Sequence, residues 1–141
     1  MANVRRVKDF NELSRLIQER VKTVADRLQP LNGKTIKVGI NPQEKYPEGT
    51  KVAQIARWIE YGTSRMAPRP FMRDAIAENS RGWKHMMREK VKQVASGKGG
   101  NYKNSLTSVA KVIREDIQKS ITEYGAVRTG RLRDSIKAEV V

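Results

Sequence analysis

From Asp9 to Leu28, the apolar residues Phe10, Leu13, Leu16, Ile17, Val21, Val24 and Leu28 recur at helical spacing while charged residues fill the other face. This spacing predicts an amphipathic helix. Asp9 followed by Glu12 has the spacing of a capping box, and Pro30 with Gly33 ends the pattern. Ile36, Val38 and Ile40 then alternate with Lys37 and Gly39, the period of a strand with one buried face. The stretch 41–50 contains Pro42, Pro47 and Gly49 and reads as a flexible, exposed loop, because prolines cannot continue a sheet ladder.

Helical periodicity returns at Val52, Ile55, Ala56 and Ile59, with Thr50 as the expected N-cap, Gly62 as the stop, and Trp58 and Tyr61 beside the stripe. From Phe71 the series Met72, Ala75, Ile76, Trp83, Met86, Met87, Val91 and Val94 is again helical, with Gly82 and the preceding Glu78-Asn79-Ser80-Arg81 as an expected break. Residues 96–104 are expected to be a second flexible loop, since "SGKGGN" has the composition of a joint and lacks the spacing and preceding strand of a phosphate loop. Leu106, Val109, Ala110, Ile113, Ile117, Ile121 and Tyr124 mark a further helix, capped by Asn104 or Ser105 and stopped by Gly125. Finally Ile136, Ala138 and Val140 alternate with Lys137, Glu139 and Val141 as a strand.

These elements predict an α+β fold in which amphipathic helices pack on a small, mainly antiparallel sheet that includes the C-terminal strand, paired with Thr35 to Ile40. An isolated two-stranded sheet is marginal, so a third strand is expected from 42–50 or from a neighbouring subunit. The length of 141 residues fits one domain spanning 1–141.

Composition narrows the chemistry. No cysteine is present, so disulfides, thiolate metal sites and thiol nucleophiles drop out, and the single histidine, His85, reads as an ordinary surface residue between Lys84 and Met86. Glu60 and Asp74, with arginines nearby, read as ion-pair partners rather than an acid–base pair, and Met72, Met86 and Met87 as core. An enzyme is not expected, nor any catalytic residue, cofactor or metal. No apolar run crosses a bilayer and the N-terminus lacks a secretion signal, so a protein made and kept in a cytosol is expected, without membrane contact.

The net charge of +14 points to nucleic acid, an anionic surface or an acidic protein as partner. Bases exceed acids by 11 to 4 in residues 51–100, the steepest excess along the chain. Within that segment, Pro68 and Pro70 straddle Arg69 and fix the backbone on both sides, predicting a stiff connector between two helices with Phe71 anchored in the core. Tyr61, Thr63, Arg65, Arg69, Phe71 and Arg73 are the candidate partner or subunit interface. Arg65, Arg69, Arg81, Lys84 and Lys98 are candidates for facing DNA. No helix-turn-helix, zinc-finger or ribonucleoprotein motif accompanies them.

The segment "IARWIEYGTSRMAPRPFMRDAI" resembles a motif of tailed-bacteriophage neck and tail-completion (minor tail) proteins, in which an apolar helix ends in an acidic-aromatic-Gly-Thr run followed by a Pro-Ala-Arg-Pro-Phe-like element. The matching positions are Glu60, Tyr61, Gly62, Thr63, Pro68, Arg69, Pro70 and Phe71, with the motif's first proline and alanine exchanged as Ala67-Pro68. The closing "VRTGRLRDSIKAEVV" is similar to a second element of these families, through Thr129, Gly130, Arg131, Leu132, Ser135 and Ile136. Where the motif has a proline-rich stretch with an aspartate before its Thr-Gly, this chain has "EYGAVRTG". The resemblance implies a structural virion protein of the neck or head-proximal tail, acting in tail completion and head–tail joining as a ring with other tail and neck proteins. It would be found in the virion, and in the host cytoplasm during assembly. The alternative reading is a small basic cytosolic nucleic-acid-binding protein.

Overall fold

The computed structural model describes residues 8–98, 100–125 and 130–141. Its order is α1 (Phe10–Leu28), β1 (Ile36–Ile40), α2 (Val52–Tyr61), α3 (Phe71–Ala95), α4 (Tyr102–Glu123), α5 (Arg131–Asp134) and β2 (Ile136–Val140), with a short 3-10 turn at Gln29–Leu31. The two strands are antiparallel, with Ile36 opposite Val140, Val38 opposite Ala138 and Ile40 opposite Ile136. Thr35 and Val141 extend the ladder by exchanging backbone hydrogen bonds of 3.0 and 2.7 Å. This is the expected α+β arrangement.

Helix α4 covers the sheet and also packs antiparallel on α3, so it lies at the centre of the fold. Its apolar face buries Leu106, Val109, Ala110, Ile117 and Ile121. Ile117 and Ile121 join Val52, Ala56, Phe71, Ala75, Leu132 and Ile136 in one core cluster. Two long-range polar contacts set the α3–α4 pairing: Ser120 Oγ donates to the Phe71 carbonyl at 2.7 Å, and Trp83 Nε1 donates to Asp116 Oδ2 at 2.7 Å.

Several local expectations differ from what forms. Helix α3 runs unbroken through Gly82. A glycine there costs about 1 kcal/mol relative to alanine, and the contacts that Trp83, Ala75 and Phe71 make with α4 outweigh it. Helix α2 is preceded by Lys51 rather than capped by Thr50, whose carbonyl instead accepts the Tyr46 N–H at 2.8 Å. Helix α4 begins at Tyr102, earlier than expected, because the Asn101 side chain accepts the Lys103 N–H at 2.9 Å; 102–104 are therefore helix and not loop.

No third strand joins the sheet among the described residues. The 42–50 segment forms only an antiparallel bridge, Lys45 with Lys51, and is tied back by Val52 N–H to the Glu44 carbonyl at 3.0 Å. The expectation of a third strand from this region is corrected accordingly: its backbone bonds are spent within its own turn. At the N-terminus, Asp9 Oδ1 accepts the Glu12 N–H at 2.8 Å, as a capping box requires, while Glu12 reaches back to the Lys8 N–H at 2.8 Å rather than to Asp9.

Helix α1 buries no residue. It meets α3, where Arg27 Nη1 donates to the Ala95 carbonyl at 3.0 Å, and Val24 and Leu28 on the same side are half-buried.

Candidate functional site

The connector between α2 and α3 is built by a relay from the last turn of α2. Gly62 sits at φ +75°, which glycine adopts without strain, and a Cβ there would lie 2.8 Å from both the Met66 carbonyl oxygen and the Pro68 nitrogen. The chain then turns tightly: Thr63 and Met66 exchange backbone hydrogen bonds of 2.9 and 3.3 Å, and Thr63 Oγ1 accepts the Arg65 N–H at 3.2 Å. Arg69 N–H donates to the Ile59 carbonyl at 2.7 Å, which fastens the proline pair to the end of α2. Pro70, at φ −78° and ψ 64°, is the centre of an inverse γ-turn closed by Phe71 N–H to the Arg69 carbonyl at 2.8 Å.

Glu60 explains how α3 starts without a capping side chain of its own. Its buried carboxylate accepts the Met72 N–H at 2.9 Å and the Arg73 N–H at 3.1 Å, satisfying two orphan donors at the positive end of the helix. Arg73 clamps the same residue, with Nε 2.9 Å from Glu60 Oε1 and Nη2 2.7 Å from its carbonyl oxygen, and its guanidinium lies 4.8 Å from the Tyr61 ring centroid. The expected Glu60 ion pair is therefore formed, with Arg73. Asp74 is corrected: it accepts the Tyr124 hydroxyl in place of an arginine, because the antiparallel packing brings the end of α4 to the start of α3.

The second motif element folds against this connector. Gly130 takes φ +73° before α5, Leu132 and Ile136 enter the core, and buried Ser135 closes the turn with Oγ to the Leu132 carbonyl at 2.6 Å. Thr129 lies outside the described residues. Together α2, the connector, α5 and the 46–48 turn surround an open cleft of about 770 Å³, within the ordinary range of binding pockets. Ile55, Trp58 and Met66 give it an apolar surface, Arg69 and Arg131 supply positive charge, and Glu48 is the acid on its rim. Arg131 reaches the Lys45 carbonyl at 3.2 Å and lies 5.9 Å from the Tyr46 ring centroid. Burial pushes the Tyr46 hydroxyl above its ordinary pKa, against the opposing pull of Arg131.

The candidate interface residues thus separate. Arg69 faces the cleft, half-buried, and the acceptor of its guanidinium is the Met66 sulfur at 3.5 Å. Tyr61, Thr63 and Arg65 are exposed around the connector. Phe71 is 2% exposed, so its side chain belongs to the core and is corrected as an interface residue. Arg73 is committed to Glu60.

The DNA-facing candidates are not gathered in one place. Arg65, Arg81, Lys84 and Lys98 are exposed, but Arg69 and Lys98 stand beyond opposite ends of α3, whose 25 residues span roughly 37 Å at 1.5 Å each. His85 is exposed, and Met72, Met86 and Met87 are half-buried. Among the described residues, no group of three or more His, Asp or Glu could hold a metal ion, and no helix is long and apolar enough to cross a membrane.

Trp58, Tyr46 and Arg131 were not singled out by the sequence as cleft residues. A tryptophan just off the apolar stripe of α2 was the available signal, because such a side chain is left half-exposed when the stripe is buried. Comparison with family models, with curated proteins and with solved structures finds no match to this chain.

Proposed function

We propose that the chain is a structural part of a tailed phage or prophage particle, acting at the neck or head-proximal end of the tail in tail completion and head–tail joining. It works as a ring-forming scaffold rather than as an enzyme, with other neck and tail proteins as partners, and resides in the virion after assembly in the host cytoplasm. The observation that carries this reading is the convergence of the two motif elements. Ile59, Met66 and Arg69 of the first element and Gly130, Arg131 and Leu132 of the second, far apart in sequence, line one cleft. Their signature residues go into building the connector rather than into a reactive centre: Glu60 caps a helix, Gly62 allows the turn, and Ser135 closes the second turn. A cleft made this way is suited to holding another protein.

The test is particle assembly. Lysates made without this protein should contain separate heads and tails by negative-stain microscopy, and wild-type protein should restore joined particles and co-purify with them. Arg69→Glu should fold yet restore few or none. Normal particles without the protein, or its absence from finished particles, would refute the reading.

The excess of exposed arginine and lysine favours a second reading, sequence-independent contact with nucleic acid. In the first reading such contact belongs to the lumen of the ring; in the second, it is the protein's whole function.

A further inference from the structure

The cleft holds a charge that the rest of the fold does not answer. Arg69 stands between Pro68 and Pro70, and its backbone N–H is bonded to the Ile59 carbonyl at 2.7 Å, so the residue is fixed in place. Its side chain is half-buried, with Nη2 3.5 Å from the Met66 sulfur, a weak acceptor, and no Asp or Glu among the described residues pairs with it. The acids at the end of α2 and the start of α3 are engaged elsewhere, Glu60 as the α3 cap and Asp74 by Tyr124. A partly desolvated, pre-positioned guanidinium gains more from an arriving carboxylate than a freely hydrated one does.

Apolar surface lies beside that charge. Ile55, Trp58 and Met66 share the cleft with Arg69, and Trp58 stays 42% exposed although its helix buries Ala56 and Ile59. Trp58 also lines a second hollow with Arg57, Tyr61 and Gly62, so both hollows combine an aromatic ring with an arginine. Trp, Tyr and Arg are the residue types that carry most of the binding energy at protein–protein contacts.

Charge and surface chemistry choose between occupants. A nucleic-acid strand carries a negative charge on every phosphate past the rim acid Glu48, and Ile55, Ile59, Met66 and Leu132 offer its base edges no polar side chain. A second copy of the chain brings another +14 of the same sign. An acidic protein is drawn by the net charge, and it can place a discrete carboxylate at Arg69 while covering the apolar surface.

We propose that the cleft takes an acidic segment of a different protein, with an apolar side chain against Ile55, Trp58 and Met66 and a neighbouring carboxylate on Arg69. This rests on the reading of the connector as a docking surface and names the chemistry of what docks there. Arg131 of α5 adds positive charge to the same lining.

The experiment selects a yeast-displayed library of random peptides with the full chain at physiological salt, discarding those that also bind Arg69→Gln. Enriched sequences should combine Asp or Glu with Phe, Leu or Trp. A fluorescein-labelled peptide made from them should bind about tenfold or more weakly to Arg69→Gln and to Trp58→Ser, both checked for folding by circular dichroism. The same peptide with its acids changed to amides should bind wild type as weakly and lose little more on Arg69→Gln, the non-additivity of two groups that touch. Lys84→Gln, an equal change of charge on α3, should bind the peptide within about twofold of wild type. If Trp58→Ser does not fold, a peptide with its apolar residue changed to serine decides the same point on wild-type protein.

Enrichment of basic or uncharged peptides, or an equal loss in Lys84→Gln and Arg69→Gln, would overturn the proposal. So would an oligo(dT) that displaces the peptide and loses affinity in Arg69→Gln and Trp58→Ser, which gives the cleft to nucleic acid. Wild-type self-association that disappears in Arg69→Gln by sedimentation velocity would give it to a second copy. The virion reading fails separately. If no such peptide binds but Arg69→Glu still prevents head–tail joining, only the chemistry of the occupant is wrong; if the peptide binds as described but the protein is absent from finished particles, only the virion reading is.

Discussion

At the scale of single residues, Glu60 is the charge on which the connector depends. It is buried and accepts two backbone N–H groups and Arg73 within 3.1 Å. Replacing it with alanine leaves the Met72 and Arg73 N–H groups without their acceptor, at roughly 1–3 kcal/mol for each donor that water cannot reach. Arg73 is half-exposed, so its removal forfeits a screened ion pair and a cation–π contact of about 1 kcal/mol or less each and leaves the helix cap in place. Urea denaturation should therefore rank Glu60→Ala as the more damaging, by about 2 kcal/mol or more, with Glu60→Gln between the two because it keeps one acceptor oxygen. An Arg73→Ala loss as large as that of Glu60→Ala would show that the ion pair, and not the cap, holds the start of α3.

At the scale of elements, the start of α3 is also fastened to the end of α4 by Tyr124, whose hydroxyl donates to Asp74. That hydrogen bond, with a smaller contribution from burial, raises the Tyr124 pKa above its ordinary 10.0. A raised tyrosine pKa gives stability that is fully present below about pH 10 and declines as pH climbs from there through the folded-state value, because the unfolded chain ionises first. Tyr124→Phe should accordingly lower the melting temperature at neutral pH and lose less between about pH 9 and pH 11 than wild type does; equal alkaline losses would mean that the bond is not made. The helix and strand periods were legible because each element buries one face, and the pairing of Ile36–Ile40 with Ile136–Val140 was expected from their alternation, although alternation alone does not set which residues stand opposite one another. Helix ends were less legible. Gly82 and Thr50 carry local signals that tertiary contacts override, and no local rule marks a glutamate on one helix as the cap of the next. The cleft was legible only in part: Arg69 stood out by its prolines, whereas Trp58, Tyr46 and Arg131 come together only once α5 folds against α2.

At the scale of the whole molecule, the charge of +14 must be held against something negative in any close assembly. Arg81 and Lys84 are exposed on α3, and Lys98 stands exposed beyond its end. If these line a DNA path, binding to duplex DNA should be independent of sequence and weaken steeply with salt, with log K falling by about 0.9 per phosphate neutralised for each unit of log salt. Arg81→Glu with Lys84→Glu should then flatten the salt slope by about 2, while leaving the fold and the self-association of the chain intact, because neither residue lies in the core or the cleft. Arg73→Glu makes an informative contrast, since Arg73 is occupied by Glu60 and its reversal should damage stability rather than the slope. A slope unchanged in the α3 double variant, or no DNA affinity at low salt, would assign this face to an acidic neighbour in the particle, and the same double variant should then fail in particle assembly although it still self-associates.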